Sequence, residues 1–170
     1  NAGLPFSIAV IISILICAVL ALLIGMASLK IKQDFFALVT FGFGQAIVAF
    51  FQEYVTVTGG AMGFSNIPHN CTPSLAFISL AVAIFFVWSF RRSHFHKDSL
   101  AIRSNELAAQ VAGINVFKHK VIIFIIAAVL TSYAGALMAA HTCYVEPRMY
   151  GWMTSVTWII IVFFGGRDSL

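Results

Sequence analysis

Residues able to do chemistry are sparse on this chain, and their spacing points away from catalysis. Cys17, Cys71 and Cys143 show no C-x-x-C pairing and no His three or four residues away, so no metal site is indicated. His69, His141 and Glu146 are scattered. No G-x-x-x-x-G-K-[ST] occurs, so the chain lacks that route to binding ATP. Polar character gathers instead in one stretch, Arg91 to Lys120, which holds eight of the sixteen charges and contains the alanine-rich run RSNELAAQVAGINVF, Arg103 to Phe117. Asp98 or Ser99 is a candidate helix cap there, and Gly113 a candidate stop. At 100° per residue, Leu100, Leu107, Val111 and Ile114 share one stripe, expected to rest on the rest of the protein. Asn105, Ala109 and Ala112 fall opposite, flanked by Glu106 and Gly113, and form a small-sided face expected to be open to another protein's groove. On pattern alone, a solvated amphipathic connector and a docking helix both fit.

The elements that position this stretch follow from composition. The chain of 170 residues is 61% hydrophobic and 9% charged, whereas a soluble domain carries roughly 25% charged residues. It reads as an all-α integral membrane protein, residues 1–170 forming part of a single transmembrane domain with about five transmembrane or partly re-entrant helices. Leu4 to Leu29 carries no charge and exceeds the about 20 residues that cross a hydrocarbon core. Phe35 to Phe51 and Ser74 to Phe90 are uncharged runs of 17 residues each, at the short end of the spanning range. The first contains FGFGQ, Phe41 to Gln45, a place where a helix could break or turn back. Val121 to Tyr144 spans easily, and Trp152 to Phe164 begins a last apolar segment.

Alternating crossings put nine of the ten basic residues on one side: Lys30, Lys32, Arg91, Arg92, Lys97, Arg103, Lys118, Lys120 and Arg167, against Arg148 alone. Basic residues accumulate in the cytoplasm, so residues 91–120 form a cytoplasmic loop. The TGGAMGFSNIP loop, Thr58 to Pro68, and the VEPRMYG loop lie outside. The formal net charge of +4 therefore follows a membrane pattern and does not indicate nucleic acid. Cys71 and Cys143 share the outer side, where a disulfide is chemically possible; two separate thiols is the preferred reading. Two rows of small residues, Ala127, Thr131, Gly135, Ala139 and Ala128, Ser132, Ala136, Ala140, are spaced for close helix packing.

AIRSNELAAQVAGINVFKHK resembles the cytoplasmic loop of ABC-importer permeases, whose E-A-A…G pattern forms the helix that docks on the ATPase. LKIKQDFFALVTFGFGQ, TGGAMGFSNIP, AGALMAAHTCYVEP and FFGGRDSL are similar, in the same order, to segments of the LivM-like permeases of branched-chain amino acid importers. The resemblance implies coupling residues Arg103, Asn105, Glu106, Ala108, Ala109 and Gly113. It implies an outer mouth or re-entrant element shaped by Gly59, Gly60 and Gly63, with Thr40, Gln45 and Thr58 as polar candidates along the substrate path. Implied partners are ABC ATPase subunits that use ATP, a second permease subunit, an extracytoplasmic substrate-binding protein and membrane lipid, in a bacterial plasma membrane. This chain would itself bind no cofactor. Members of that family are longer, so further spans are expected before Asn1 and after Leu170. Departures occur at His96 to Leu100 and at Ser104, where the family usually carries a basic, glycine-led run and an acidic residue. Related permeases carry urea or short amides. An ion-coupled secondary transporter is a weaker reading, because no charge lies within any expected span.

The charge pattern predicts the order outside, in, out, in, out, in from Asn1 to Leu170. Cysteines introduced singly at Ser93 and Ser65, in a background without the native three, should label from opposite sides of the membrane; labelling of both from outside would refute this topology.

Overall fold

The structure, a computed structural model, describes residues 6–29, 33–55, 59–65, 67 and 72–165. Lys30, Lys32, Thr58, His69, Cys71 and Arg167, named above, lie outside the described residues. Seven helices are described: α1 (Phe6–Ser28), α2 (Gln33–Glu53), α3 (Pro73–Arg92), α4 (His94–Ser104), α5 (Glu106–Val111), α6 (Val116–Thr142) and α7 (Trp152–Phe164). Among the described residues, α1, α3 and α6 are long and apolar enough to cross a membrane. At about 1.5 Å per residue, the 23 residues of α1 and the 27 of α6 reach past the hydrocarbon thickness. With α2 and α7, five helices are apolar. FGFGQ lies inside α2, which runs unbroken through Gly42 and Gly44. Of the two alternatives left open there, the segment is a continuous helix: two helical glycines cost about 1 kcal/mol each, too little to break 21 residues of regular hydrogen bonding.

The chain divides into two compact units, residues 1–32 with 71–137, and residues 33–70 with 138–170. In the first, α1 and α6 run antiparallel with their small residues in contact. Ser13 Oγ lies 3.1 Å from Ser132 Oγ, Cys17 Sγ donates to the Ala128 carbonyl at 3.6 Å, and a Cβ at Gly25 would stand 3.2 Å from the Phe124 ring. Ala21, Gly25 and Ser28 are buried at i, i+4 and i+7 along that side of α1. So the row containing Ala128 and Ser132 is a packing seam, as its spacing predicts. The row containing Gly135 is different: nothing described lies within 4 Å of a Cβ placed at Gly135, and Ala127 and Thr131 are exposed.

Pro73 opens α3 at its first turn, where a missing N–H costs nothing. Arg91 and Arg92 close it, complementing the carbonyl end of the helix. Ser93, in an extended conformation, separates α3 from α4.

In the second unit, α2 is followed by a 3-10 turn at Gly60–Met62 and a two-residue strand β1 (Phe64–Ser65). Strand β2 (Tyr144–Val145) pairs with β1 antiparallel, in the register Phe64 to Val145 and Ser65 to Tyr144. A second 3-10 turn, Pro147–Tyr150, leads into α7.

Packing at the α1–α6 seam predicts that Ala128→Leu lowers the yield of monodisperse detergent-solubilised protein, since overfilling a close contact costs typically 1–3 kcal/mol. Gly135→Leu, with open space beside it, should do so less. Equal yields would mean that α1 does not pack there.

Candidate functional site

The polar stretch is built as three pieces, with a break the sequence reading did not place. The chain leaves the helix at Asn105, whose φ of −157° and ψ of 109° end α4, and re-enters it at Glu106. Asn105 is therefore a cap. Its Oδ1 accepts from the N–H groups of Leu107 at 3.0 Å and Ala108 at 3.1 Å, two donors that a helix start leaves unpaired. Ser99, expected as a cap, lies inside α4, where its hydroxyl donates to the Phe95 carbonyl at 2.9 Å. Asp98 lies inside α4 as well.

At the other end, Gly113 takes φ of 88°. Its N–H donates to the Gln110 carbonyl and that of Ile114 to the Ala109 carbonyl, each at 3.0 Å. This is the pair of bonds that closes a helix through a left-handed residue, and it bears out Gly113 as the stop. Asn115 Oδ1 then accepts from Lys118 N–H at 3.1 Å and starts α6.

Two side-chain links tie α4 and α5 to α6. Lys120 Nζ lies 2.8 Å from Glu106 Oε2. His119, only 5% exposed, stacks on Phe95 with ring centroids 4.7 Å apart and 16° between planes. Its Nε2 stands 2.9 Å from Ser99 Oγ. Because the single Ser99 proton goes to the Phe95 carbonyl, Oγ accepts from His119 Nε2–H. This anchor has no sequence signature: a His early in a long helix looks like any other.

The exposed face of α5 is the reverse of the expected one. Ala109 is 3% exposed, while Leu107 is 73% and Val111 90% exposed. The break at Asn105 detaches Leu100 from the stripe of Leu107 and Val111, but within α5 those two still lie opposite Ala109, so the reversal is in which face turns inward. Close approach of α5 to the rest of its unit favours the smallest side chain on the inside. Of the residues the resemblance implied, Ala108, Gly113 and Arg103 are exposed, Glu106 is half-buried in its ion pair, Asn105 serves the backbone, and Ala109 faces inward.

In the second unit, Gly59, Gly60 and Gly63 do come together. All have positive φ (72°, 60° and 73°). A Cβ at Gly63 would stand 2.5 Å from the Val145 carbonyl, so this glycine lets β1 meet β2. Tyr144 places its hydroxyl 2.8 Å from the Met62 carbonyl and 2.9 Å from Glu146 Oε2. Glu146 thus holds a loop. Thr40 and Gln45 are half-buried on α2 and are not brought to these glycines by any described contact; Thr58 falls outside the described residues. A cavity of about 500 Å³ lies nearby, lined by Ile47, Val48 and Phe51 of α2 with Phe64, Val145, Pro147 and Tyr150. None of these was expected from sequence to line a cavity, although Ile47, Val48 and Phe51 fall on one side of a helix. Cys143, at φ 55°, carries a free thiol.

A family model described as branched-chain amino acid transport system / permease component matches residues 1–170. The chain belongs to this family. Relatives include the high-affinity branched-chain amino acid transport system permease protein LivM of Escherichia coli strain K12, 25% identical over 98% of this chain and 47% of that protein. The L-arabinose transport system permease protein AraH of the same strain is 30% identical over 60% of this chain and 29% of its own length. The probable ABC transporter permease protein YphD is 34% identical over 41% of this chain and 21% of its own length. The chain spans about half the length of the LivM relatives. No solved structure matches it. Membership in this permease family and the apolar helices make the chain a multi-pass, all-α membrane protein.

The Tyr144 phenol is held above its ordinary pKa of 10.0, first by its hydrogen bond to Glu146, then by desolvation and by the Glu146 charge. A pKa raised on folding stabilises the loop fully below pH about 10, and that contribution fades as pH climbs through the raised value. The difference between phenolate absorbance titrations of the wild type and Tyr144→Phe should therefore show a midpoint above 10; a midpoint at or below it would contradict the bond.

Proposed function

We propose that this chain belongs to a membrane-spanning permease subunit in an ATP-driven importer of branched-chain amino acids in a bacterial plasma membrane. In this reading α5 couples the permease to separate ATPase subunits, which bind and hydrolyse ATP. A second permease subunit and an extracytoplasmic substrate-binding protein complete the assembly. The observation that carries the reading is the pair Leu107 and Val111. They sit four residues apart on one side of α5, 73% and 90% exposed, on a segment otherwise rich in polar side chains. An apolar i, i+4 pair on a short helix suits a helix seated in a groove.

Two lines support the substrate class. The match that runs nearly the length of the chain is to a protein named for branched-chain amino acids, and the cavity beside the glycine loop is lined by aliphatic and aromatic groups with one phenol. Such walls favour an aliphatic side chain. The hydroxyls of a pentose, the substrate named for AraH, would find few hydrogen-bond partners there, and each unpaired polar group costs about 1–3 kcal/mol.

Burying an apolar side chain of this size is worth about 1.5–3 kcal/mol, and forcing an unpaired charge into the same contact costs several more. Val111→Glu should therefore abolish co-purification of the ATPase subunits and amino-acid uptake, while the permease itself stays monodisperse, since position 111 touches little within the chain. Ala109→Glu is a poorer probe, because it would push α5 off its own unit. Unchanged uptake and subunit binding in Val111→Glu would remove α5 from the coupling role.

A further inference from the structure

We propose that the corner between α3 and α4 is a binding site for the headgroup of an anionic phospholipid in the cytoplasmic leaflet. Here α3 is taken as a membrane span with its Arg91–Arg92 end at the cytoplasmic surface, a placement that rests on the topology above. The apolar run of α3 gives out at Arg91 and Arg92, both exposed, where a span leaves the hydrocarbon. The Arg92 guanidinium lies over the Trp88 ring, 3.8 Å from its centroid. Trp88 is itself 49% exposed, one turn nearer the bilayer.

That stacking does two things. It fixes a planar fork of N–H donors at the depth of an interfacial tryptophan instead of letting the side chain extend into water. It also leaves the edge of the guanidinium free for two-point contact with a phosphate diester.

The corner supplies a further cation, Lys97. Ser93 turns the chain between the helices, with its Oγ donating to the Phe90 carbonyl at 2.6 Å. The Phe90 and Phe95 rings meet across the turn at 6.5 Å. Exposed His94 and Lys97, on the first turn of α4, thus stand beside the end of α3. No ion pair to Arg91, Arg92 or Lys97 is described, whereas Lys120, farther along the stretch, is taken up by Glu106. Asp98 is the nearest acid in sequence and is half-buried. A positive, partly apolar corner at the membrane surface is complementary to a headgroup carrying one negative charge above two acyl chains.

The test uses the full-length permease in a neutral detergent, incubated with equal amounts of dioleoylphosphatidylglycerol and dioleoylphosphatidylcholine, with retained lipid counted by native mass spectrometry. Each basic residue near an anionic surface is worth about fivefold. The wild type should retain the anionic lipid by about tenfold or more, and Arg91→Gln with Lys97→Gln should lower the preference to about the fivefold that Arg92 alone supplies. Trp88→Leu, which alters no charge and so leaves the topology signal intact, should also lower it by removing the platform under Arg92. Lys118→Gln, a cation outside the corner, should leave it unchanged. The site would be overturned by an unchanged preference in both corner variants, by an equal loss in Lys118→Gln, or by displacement of the lipid by inorganic phosphate, which would mark a free-anion site. Loss of ATPase binding in the corner variants with lipid preference intact would overturn it as well, by assigning the patch to a protein partner.

Discussion

A six-residue helix cannot hold itself in water, and α5 depends on being clamped. Forming the first turn costs more than one hydrogen bond returns, so isolated helices of fewer than about 12 residues are marginal. Every contact around α5 (Glu106–Val111) offsets that deficit. Asn105 caps two donors at the start, a substitution-sensitive contact worth typically about 1 kcal/mol. Gly113 accepts the left-handed turn at the end. The Glu106–Lys120 pair is partly exposed and adds under about 1 kcal/mol, but it also fixes α5 in rotation about its axis. With Ala109 against the protein, Leu107 and Val111 have no choice but to face out. The stacked His119 and Phe95, joined through Ser99, bind α4 to α6 in the same way and hold the platform on which α5 sits.

The second unit answers a similar problem with backbone geometry. Two strands of two residues each are too short to be stable on their own merit. Their pairing depends on Gly63, where any Cβ would meet Val145 and Glu146, and on the Tyr144 hydroxyl, which reaches the Met62 carbonyl. The glycine loop and the VEPRMYG loop are therefore one structure, and they bound the apolar cavity beside α2.

Much of this was legible in the sequence. The apolar runs gave the helices because a hydrocarbon core sets their length, and the spacing of Ala128 and Ser132 marked a packing row, though not its partner α1. Gly113 was readable as a stop, since few other residues accept its φ. What escaped was non-local or a matter of register. Met62 and Tyr144 are 82 residues apart, and nothing in either dipeptide strand announces its partner. The break at Asn105 had a signal, an N-cap residue followed by an acid, but the alanines around it read equally well as one longer helix. Within α5 the two faces fall where the count puts them, Leu107 and Val111 together and Ala109 opposite; what reverses is the expectation that the apolar face turns inward, since the small side chain takes the close contact. The glycines of FGFGQ left open whether α2 is continuous, since local propensity cannot see how many regular hydrogen bonds surround them.

The orientation of α5 is the claim on which the coupling role rests, and thiol accessibility measures it directly. In the reconstituted permease lacking native cysteines, Val111→Cys should react readily with a water-soluble maleimide and become protected when the ATPase subunits are added, whereas Ala109→Cys should react slowly in both states. Ready labelling of Ala109→Cys beside a shielded Val111→Cys in the free permease, or a Val111→Cys that stays equally reactive in the complex, would contradict the account.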